Sequence, residues 1–500
     1  MRNLSTLAWR VYDAPTKPWH GVVADTEGDD SVYVMRVERR DSVSQLTLAH
    51  ITPTGTEELA VLEVASAAPH VPDVADFRLL ADGGSSVNHM PAICVIGSGG
   101  DIVLMPVDEE ASAPAEVVGS VDQGILAAAW SPEEDVLVLI TGGEKRLIVM
   151  TREFEVVSET MLSTEAFGDD QPVNVGWGSK STQFHGSEGK QAAVAAANAP
   201  EENDPRGPLV PEDDGLPRIS WRGDGAFFVT SSAEASNDTV HRILRTYTRT
   251  GTLSATSDRS VRGISHVLAC RPTGNLIATT QRMGGPWAPG RHGRHDVVFF
   301  ERNGLRHGEF SLREEHGSVP DLPSVSAEPL PPWSCEHQIR LVSWNADGSV
   351  LAVLLQRAGQ HVLQLWTSGN YHWYLKHEST YEHLHAMTWH PEQPLTWYVS
   401  HARVERRTMC LETACSRGMP PHDAACASVV DGHLLYLTPF RLQNVPPPMC
   451  AVAIVDTPHH TVPHVPPATP VHVAWTTQSV EDQTTDMVAI LYPCLLYTSL

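Results

Sequence analysis

The chain has 500 residues, of which 41% are hydrophobic, 36 are Gly and 37 are Pro, so a large core with many turns is possible. Its 35 Lys and Arg face 60 Asp and Glu, and the formal net charge of -25 argues against a protein that coats nucleic acid by bulk electrostatics. Eight Cys without a regular disulfide framework, no long apolar run at the start, and no stretch near the ~20 apolar residues that span a bilayer indicate a soluble intracellular protein. We expect a cytoplasmic location, with a nuclear one also open.

The first 120 residues predict strands, because short runs of β-forming residues, some alternating apolar with polar, are separated by turn-forming residues. These runs lie at residues 4–12, 21–24, 31–37, 45–48, 74–80, 93–96 and 102–105. They predict two four-stranded sheets.

A short motif recurs from residue 129 onwards: an apolar or small residue, a Trp, a polar turn rich in Asp, Gly or Pro, and then a β-forming run. Its copies contain Trp130, Trp221, Trp344 and Trp389, and Cys270 takes the Trp position in a fifth copy. Each copy predicts a strand, a tight turn and a second strand, because Gly and Asn accept positive φ and Pro presets the turn.

The spacing of the motif predicts the architecture. Trp221 and Cys270 are 49 positions apart and Trp344 and Trp389 are 45 apart, close to the ~40–45 residues of a WD40 blade. A further β-forming run follows the motif at 146–150, 243–247, 297–300 and 362–366. One blade cannot bury both faces alone, so we predict an all-β fold, a WD40-type β-propeller of about seven blades followed by the start of a second propeller. An all-β sandwich with chance Trp spacing is the alternative.

Composition predicts the domain boundaries. The first propeller is expected at residues 1–440, and residues 441–500 are expected to hold a linker, with Pro-rich residues 444–448, and the incomplete start of a second propeller. Residues 191–215 are rich in Ala, Pro, Glu and Asp and predict a mobile surface insertion within the first propeller.

A basic loop with an aromatic residue supplies the candidate contact site. It contains Arg282, Trp287, Arg291 and Arg294, and Arg beside a stacking ring is what single-stranded nucleic acid requires. These four residues are therefore candidates for a contact with RNA or with a partner protein. A solvated loop between two strands is the alternative reading, because one loop is a small footprint on an acidic protein.

No motif for catalysis or metal binding emerges. The spacing of Cys410, Cys415 and Cys426, near His401 and His422, lacks the paired short knuckles of a zinc ribbon. The chain also has no Gly-x-Ser-x-Gly and no complete zincin or deaminase signature. We predict a protein that is not an enzyme and has no cofactor, metal or catalytic residue.

Several stretches fall in one family's order between residue 1 and about residue 450. They are residues 1–4, 122–125, 130–131, 175–178, 182–186, 219–224, 299–310, 365–376 and 444–449. Together they resemble the amino-terminal WD40 propeller region of the largest subunit of the Elongator complex, the IKAP family. The run 299–310 alone is too specific for a generic propeller.

The resemblance implies a non-catalytic scaffold subunit of the Elongator complex. In that family two tandem propellers precede a helical repeat region and a dimerisation segment, so a homodimer is expected of full-length members. The assembly modifies tRNA wobble uridines to 5-carboxymethyluridine-type side chains and thereby supports translation. The chemistry belongs to a separate radical S-adenosylmethionine and acetyltransferase subunit, and a second WD40 subunit is a further partner.

The chain departs from the family in length, because it stops where a second propeller begins. The resemblance implies contact with tRNA only through the assembly, and no contact with a membrane. Two other hypotheses stay open. One is a WD40 propeller adaptor in another multiprotein assembly, such as a coat or a ubiquitin-ligase platform. The other is a propeller enzyme, which requires a funnel of convergent titratable groups with perturbed pKa values.

Overall fold

The computed structural model consists of β-strands, turns and one short 3-10 helix, Ser85–Val87. It describes residues 2–12, 17–26, 28, 30–107, 115–163, 168, 207–236, 239–258, 261–284, 287, 294–312, 338–357, 359–369, 372–416, 424–442, 453–456, 469–480, 483–492 and 496–499. Within these residues, no helix is long and apolar enough to cross a membrane.

Seven antiparallel four-stranded sheets follow one another as blades. The first strand of the chain, β1 (Asn3–Tyr12), belongs to the last of them. Blade 1 is β2 (Gly21–Ala24), β3 (Val32–Arg40), β4 (Val43–Thr52) and β5 (Gly55–Ala65); blade 2 is β6 (Val74–Leu80), β7 (Ala92–Gly97), β8 (Asp101–Pro106) and β9 (Glu116–Ser120). Blade 3 is β10 (Ile125–Trp130), β11 (Val136–Thr141), β12 (Arg146–Thr151) and β13 (Val156–Met161); blade 4 is β14 (Arg218–Trp221), β15 (Phe227–Ser236), β16 (Thr239–Thr248) and β17 (Leu253–Thr256). Blade 5 is β18 (Ala269–Cys270), β19 (Ile277–Arg282), β20 (His295–Phe300) and β21 (Arg306–Ser311); blade 6 is β22 (Gln338–Trp344), β23 (Leu351–Arg357), β24 (Gln360–Gly369) and β25 (His372–Tyr381).

Blade 7 closes the ring. It consists of β26 (Ala386–Trp389), β27 (Thr396–Ser400), β28 (Val404–Glu412) and, as its fourth strand, β1. Strand β1 pairs antiparallel with β28, from Asn3 opposite Glu412 to Tyr12 opposite Val404, and β2 of blade 1 packs against β26 and β27. The prediction of an all-β β-propeller is therefore confirmed, and the ring has seven blades.

The ring ends earlier than residue 440. A further sheet begins directly after β28, with β29 (Ala414–Cys415), β30 (Cys426–Asp431), β31 (Leu434–Pro439) and β32 (Ala453–Asp456). It is followed by a three-stranded sheet of β33 (His472–Val480), β34 (Gln483–Leu491) and β35 (Leu496–Ser499). The predicted boundary thus falls inside the further sheet, because blade 7 takes its fourth strand from the start of the chain and not from residues 426–439. The predicted linker, 444–448, lies outside the described residues.

The antiparallel order gives the ring two distinct faces. The first strands of neighbouring blades contact one another and surround the centre, so the fourth strands form the rim. Turns between the second and third strands, and the connections between blades, lie on one face, which we call the upper face. The other turns lie on the lower face. Binding residues of a propeller are carried by these turns and by the rim, because the interior is filled by packing.

Two of the four recurring Trp residues bond their blade to the preceding one. Trp221 donates its indole N–H to the backbone oxygen of Ala129 at 3.2 Å, and Trp389 donates to the oxygen of Ser343 at 3.4 Å. In both cases the acceptor immediately precedes the Trp of the blade before. A buried Trp thus satisfies its one donor while its ring fills the space between two inner strands.

Cys270 makes the same contact with a smaller side chain. Its thiol donates to the backbone oxygen of Ser220 at 3.3 Å, and its own N–H donates to the Ser220 hydroxyl at 2.8 Å. Burial raises the pKa of the thiol to about 12, so it stays protonated and is able to donate. The substitution of Cys for Trp in the motif therefore preserves the contact between blades.

The run 299–310, which carried much of the resemblance, forms the contact between blades 5 and 6. Phe310 stacks on Trp373 with ring centroids 4.7 Å apart and meets Trp366 at 4.8 Å. At the turn of this run, Gly304 has φ 86°, and a Cβ there would lie 2.3 Å from the backbone oxygen of Thr256 in blade 4. Aromatic packing and this close approach restrict which side chains fit at Phe310 and Gly304.

Candidate interaction surfaces

The structure places Arg282 in a buried ion pair. Its side chain is 2% exposed, and its Nη1 donates to Oε2 of Glu212 at 2.6 Å. The guanidinium also lies 5.0 Å from the ring centre of Trp287, which is half-buried. The pair forms an internal stack on the upper face of blade 5. A contact of Arg282 or Trp287 with RNA or a partner stays a prediction.

The other two candidate arginines differ from Arg282. Arg294 keeps 34% of its side chain exposed while its Nε donates to the buried carboxylate of Asp296 at 2.8 Å. Arg291 lies outside the described residues. A contact of either residue with RNA or a partner stays a prediction.

The segment 207–216 is packed into the upper face, which contradicts its predicted surface position. Val210 and Leu216 are buried, and Leu209 donates its N–H to the backbone oxygen of Val240 at 3.0 Å. Composition suggested a solvated acidic stretch here, but the segment is a strap that covers the entry to blade 4. The remainder of the predicted insertion, residues 191–206, lies outside the described residues.

Buried ion pairs hold the strap in place. Arg242 binds both carboxylate oxygens of Asp213, with Nε to Oδ2 at 2.6 Å, and both side chains are 0% exposed. The carboxylate of Glu212 accepts the hydrogen bond from Arg282, and its Oε1 lies 3.2 Å from Nε2 of His295. Burial opposes ionisation of Glu212, but the hydrogen bond and charge of His295 and the charge of Arg282 outweigh it and lower the pKa of that carboxyl. The strap is therefore fixed by charge pairs that water does not screen.

One group of potential metal ligands lies beside the strap. An oxygen from each of Asp213 and Asp214 and a ring nitrogen of His266 lie within 4.8 Å of one another. Both oxygens of Asp213 accept from Arg242, however, and Oδ2 of Asp214 accepts from Arg218. Arginine already supplies the countercharge, so these residues do not fit a metal ion.

The cysteines and histidines weighed as zinc ligands do not converge in the described part of the chain. His401 bonds to Glu405 at 2.8 Å near the start of β28, whereas Cys410 lies near its end. The N–H of Ser416 donates to the oxygen of Cys426 at 2.8 Å. Because side chains alternate along a strand, this register places Cys415 and Cys426 on opposite faces of the sheet. His422 lies outside the described residues.

A pair of a buried His and a half-buried Ser bears on the enzyme hypothesis. Nε2 of His377 lies 2.7 Å from the hydroxyl of Ser379, on the outer strand of blade 6. Burial, followed by the charge of Arg407, lowers the pKa of His377 to about 3. The Ser379 hydroxyl also accepts from Nη1 of Arg407 at 3.2 Å. A ring that resists protonation and a hydroxyl that is already engaged indicate a structural pair rather than a base and its nucleophile.

The sheet that follows the ring is joined to it through a buried lysine. Lys376 is 1% exposed, and its Nζ donates to the backbone oxygen of Val430 at 2.7 Å and to Oδ1 of Asn3 at 3.4 Å. Asn3 also accepts from the N–H of Val430 at 2.8 Å and donates to the oxygen of Ser428 at 3.0 Å. The start of the chain, blade 6 and β30 thus meet at one point.

Asp431 completes this junction. It is 1% exposed, and its carboxylate accepts from the N–H of Leu375 at 2.9 Å and from the hydroxyl of Tyr436 at 3.2 Å. The N–H of Gly432 donates in return to the oxygen of Leu375 at 2.7 Å. We call Asn3, Lys376, Ser428, Val430 and Asp431 the joint.

Sequence reasoning missed the joint, although a signal for it existed. Asn3 lies in the stretch 1–4 and Lys376 lies in the stretch 365–376, both of which carried the resemblance. A lysine inside a β-forming run reads as a surface residue by composition. Its burial follows only from the return of β1 to blade 7 and the docking of β30, neither of which is visible in the local sequence.

Comparison with known proteins agrees with the geometry. The family described as the ELP1 first N-terminal beta-propeller matches residues 1–392. Elongator complex protein 1 of Mus musculus is 33% identical over 482 residues, which cover 91% of this chain and 31% of the relative. Elongator complex protein 1 of Saccharomyces cerevisiae is 35% identical over 377 residues, or 70% of this chain and 26% of the relative, and that of Oryctolagus cuniculus is 37% identical over 381 residues, or 73% and 25%.

The identities and coverages show which family the chain matches and how much of its relatives' length the chain covers. The chain spans between a quarter and a third of the length of these curated relatives. The family match begins at residue 1 and runs through six blades into the seventh. The chain forms a closed seven-bladed ring, contains the contact between blades 5 and 6 at residues 299–310, and matches the family over most of its residues. It therefore belongs to the Elongator complex protein 1 family, in the region of its first amino-terminal β-propeller.

Proposed function

We propose that this protein is a non-catalytic scaffold subunit of the Elongator complex that supports wobble-uridine modification of tRNA by a separate catalytic subunit. The observation that carries the proposal is the joint, in a chain of this family. It locks a closed ring to the sheet that follows, through hydrogen bonds made by buried side chains at 2.7 to 3.4 Å. A scaffold needs such a fixed relation between its parts, because rigidity lowers the ordering cost when partners dock.

The proposed partners are the catalytic radical S-adenosylmethionine and acetyltransferase subunit and a second WD40 subunit. Binding of tRNA through the assembly, homodimerisation of full-length family members, and a cytoplasmic location with a nuclear one also open belong to the same proposal. The internal role of Arg282 and the structural pair of His377 and Ser379 support it. Residues that looked able to bind or react are used to hold the ring together.

The test combines partner identification with a modification assay. The full chain, tagged at its carboxyl end to leave β1 unaltered, is purified from cells that encode it, and co-purified proteins are identified by mass spectrometry. We expect other Elongator subunits to be recovered, and wobble-uridine side chains to decrease when the gene is deleted. Recovery of a different assembly together with unchanged modification would show that the chain is an adaptor elsewhere.

A matched pair of variants tests the role of the joint. Lys376→Met removes the donor of the joint, whereas Arg146→Ala removes an exposed guanidinium from blade 3. We expect the first to lower recovery of Elongator subunits and the second to leave it unchanged. Equal recovery with both variants would mean that a fixed relation between ring and following sheet is not what the assembly requires.

A further inference from the structure

The exposed large apolar side chains are concentrated on part of the rim. Nine of the thirteen in the described part of the chain lie on the outer strands of blades 7, 1, 2 and 3, which are consecutive around the ring. They are Leu7, Trp9 and Val11 on β1; Leu59 and Val61 on β5; Val117 on β9; and Val156, Val157 and Met161 on β13. We call these nine side chains the apolar half-rim.

The remaining blades do not share this property. None of the thirteen side chains lies on β17, β21 or β25, the outer strands of blades 4, 5 and 6. Strand β25 is covered by the joint, and β17 has only four residues, three of which are buried. The exposed apolar surface is therefore a feature of one side of the ring, and grouped exposed apolar side chains mark interaction sites more often than scattered ones do.

Strand β5 offers the most complete binding edge of the half-rim. It has eleven residues and pairs with β4 from Gly55 to Ala65 with one bulge, at Leu59, while no second strand neighbours it among the described residues. The N–H of Ala65 donates to Oδ2 of Asp101 at 2.9 Å. Residues 55–64 therefore carry the outer row of backbone groups without a partner strand, which is a template for strand addition. The edge strand of a propeller is otherwise kept short or protected.

The side chains of β5 alternate between the core and solvent. Val64 is buried, and Leu62 and Ala60 pack beside it on the same core cluster. Val61, at 47% exposure, and Glu63 point to the opposite side, because successive side chains of a strand alternate. An added strand would thus meet an apolar position flanked by an acidic one.

Charge indicates what kind of segment fits. Glu57, Glu58 and Glu63 are all exposed, and no basic side chain lies within ion-pairing distance of them in the described part of the chain. On β13 and β1 the charges are matched within the ring, because Glu159 binds Arg146 at 2.7 Å and Arg10 binds Asp30. On the four outer strands of the half-rim, as far as the structure describes them, β5 carries three exposed glutamates without an ion pair and β9 carries one, Glu116. Complementarity at β5 therefore favours a basic partner.

We propose that β5 is a docking edge for an extended polypeptide segment of a partner protein in which basic and apolar residues take turns at every second position, so that both kinds lie on one face of the added strand. The segment would add a fifth strand to blade 1 and pair with the backbone of residues 55–64. On the face of β5 that carries Val61 and Glu63, it would place an apolar side chain beside Val61 and Lys or Arg side chains beside Glu58 and Glu63. The proposal rests on this edge alone and does not depend on membership of any particular complex.

The test uses four fluorescent ten-residue peptides and the full chain, with binding followed by anisotropy. The first repeats Lys-Ser-Val-Ser, so that Lys and Val share one face; the second repeats Glu-Ser-Val-Ser, and the third repeats Lys-Ser-Ser-Ser. The fourth is the first peptide with every backbone nitrogen methylated, so that neither of its edges can donate hydrogen bonds to a strand. We expect the first to bind, and the other three to bind at least tenfold more weakly. Hydrogen exchange of residues 55–65 should slow only when the first peptide is present.

Variants separate strand addition from general attraction to an acidic protein. The triple variant Glu57→Lys, Glu58→Lys, Glu63→Lys should weaken binding at least tenfold, and Val61→Ser should weaken it several-fold. A control triple, Asp122→Lys, Glu382→Lys, Glu392→Lys, makes the same charge change at exposed positions away from β5. The proposal is overturned if the control triple weakens binding as much, if the methylated peptide binds equally well, or if protection appears outside residues 55–65. Circular dichroism confirms that each variant is folded, and a β5 triple that does not fold leaves Val61→Ser and the methylated peptide to decide.

Discussion

Removing the charge of Asp213 should release the strap from the upper face. In Asp213→Asn the fully buried guanidinium of Arg242 keeps its charge but loses its carboxylate. Breaking one side of a buried ion pair costs about 3–5 kcal/mol. We expect a value near the lower limit, because the Asn amide still accepts one hydrogen bond and because Arg242 retains the oxygens of Leu216 and Ser231 at 3.1 and 3.3 Å. A loss of about 3 kcal/mol lowers the closing equilibrium roughly a hundredfold.

Hydrogen exchange is the sharpest assay for this effect. A chain of 500 residues need not unfold in one step, whereas exchange reports the opening of a single segment. The N–H of Leu209, bonded to Val240 at 3.0 Å, and the neighbouring amides of the strap should exchange about a hundred times faster in the variant, in proportion to the loss just estimated. Strands of blades that do not contact the strap, such as β23, should keep their protection.

Two controls decide whether the reasoning holds. Glu144→Gln removes a partner from the exposed Arg146, and we expect exchange there to change far less, because water already screens that pair. The double variant Asp213→Leu, Arg242→Met removes both charges and should recover much of the lost protection. Unchanged exchange of the strap in Asp213→Asn would refute the conclusion that this ion pair holds it.

Three further predictions follow from the interior of the ring. Trp389→Phe removes the donor to Ser343 and should cost about 1 kcal/mol of unfolding free energy, while Trp389→Ala adds a cavity and should cost about 3–5 kcal/mol; equal thermal midpoints for the two variants would contradict the packing account. Burial lowers the pKa of His377 to about 3, so below about pH 6.5 the unfolded chain binds a proton at this ring while the folded chain does not. As the pH is lowered from about 6.5 to about 3, the free energy of unfolding should therefore decrease by at most about 1.4 kcal/mol per pH unit. In His377→Gln this slope should shrink, and an unaltered profile from denaturation at several pH values would speak against it. Lys376→Met leaves a buried carbonyl of the joint without its donor, and amide exchange in residues 426–431 should rise while blade 6 stays protected; loss of protection throughout blade 6 would mean that the lysine supports the ring itself.

The parts of the fold that the sequence predicted are those with local causes. The inner strands of blades 3, 4, 6 and 7 end in the Trp motif, and the turn chemistry that follows, as at Gly348 with φ 69°, is readable within a few residues. For Trp221 and Trp389 the acceptor is also the neighbour of the Trp in the preceding blade, so the local pattern there specifies both a strand and its contact with the next blade. Blade count and fold class followed from this pattern.

The parts that escaped prediction depend on distant partners. Arg282 and Glu212 are 70 positions apart, and Lys376 and Asn3 are 373 apart. Composition predicts that an isolated arginine or an acidic, Pro-rich segment lies at the surface. This prediction fails when a residue distant in the sequence supplies an opposite charge and the two are buried together. The boundary at residue 440 failed for the same reason, since nothing near β28 shows that its neighbour is β1.

The pairing of β1 with β28 also determines when the ring can close during synthesis of the chain. Asn3 leaves the ribosome long before its partner Glu412 exists, and at ~5–20 residues per second the wait lasts roughly 20–80 s. Throughout that interval the strand bearing Leu4 and Trp9 has no neighbour to shield it, while six blades accumulate behind it. During this interval, cellular chaperones that recognise extended apolar segments can bind β1. A bulky fusion at the amino end would interfere with ring closure, which is the last event of folding rather than the first.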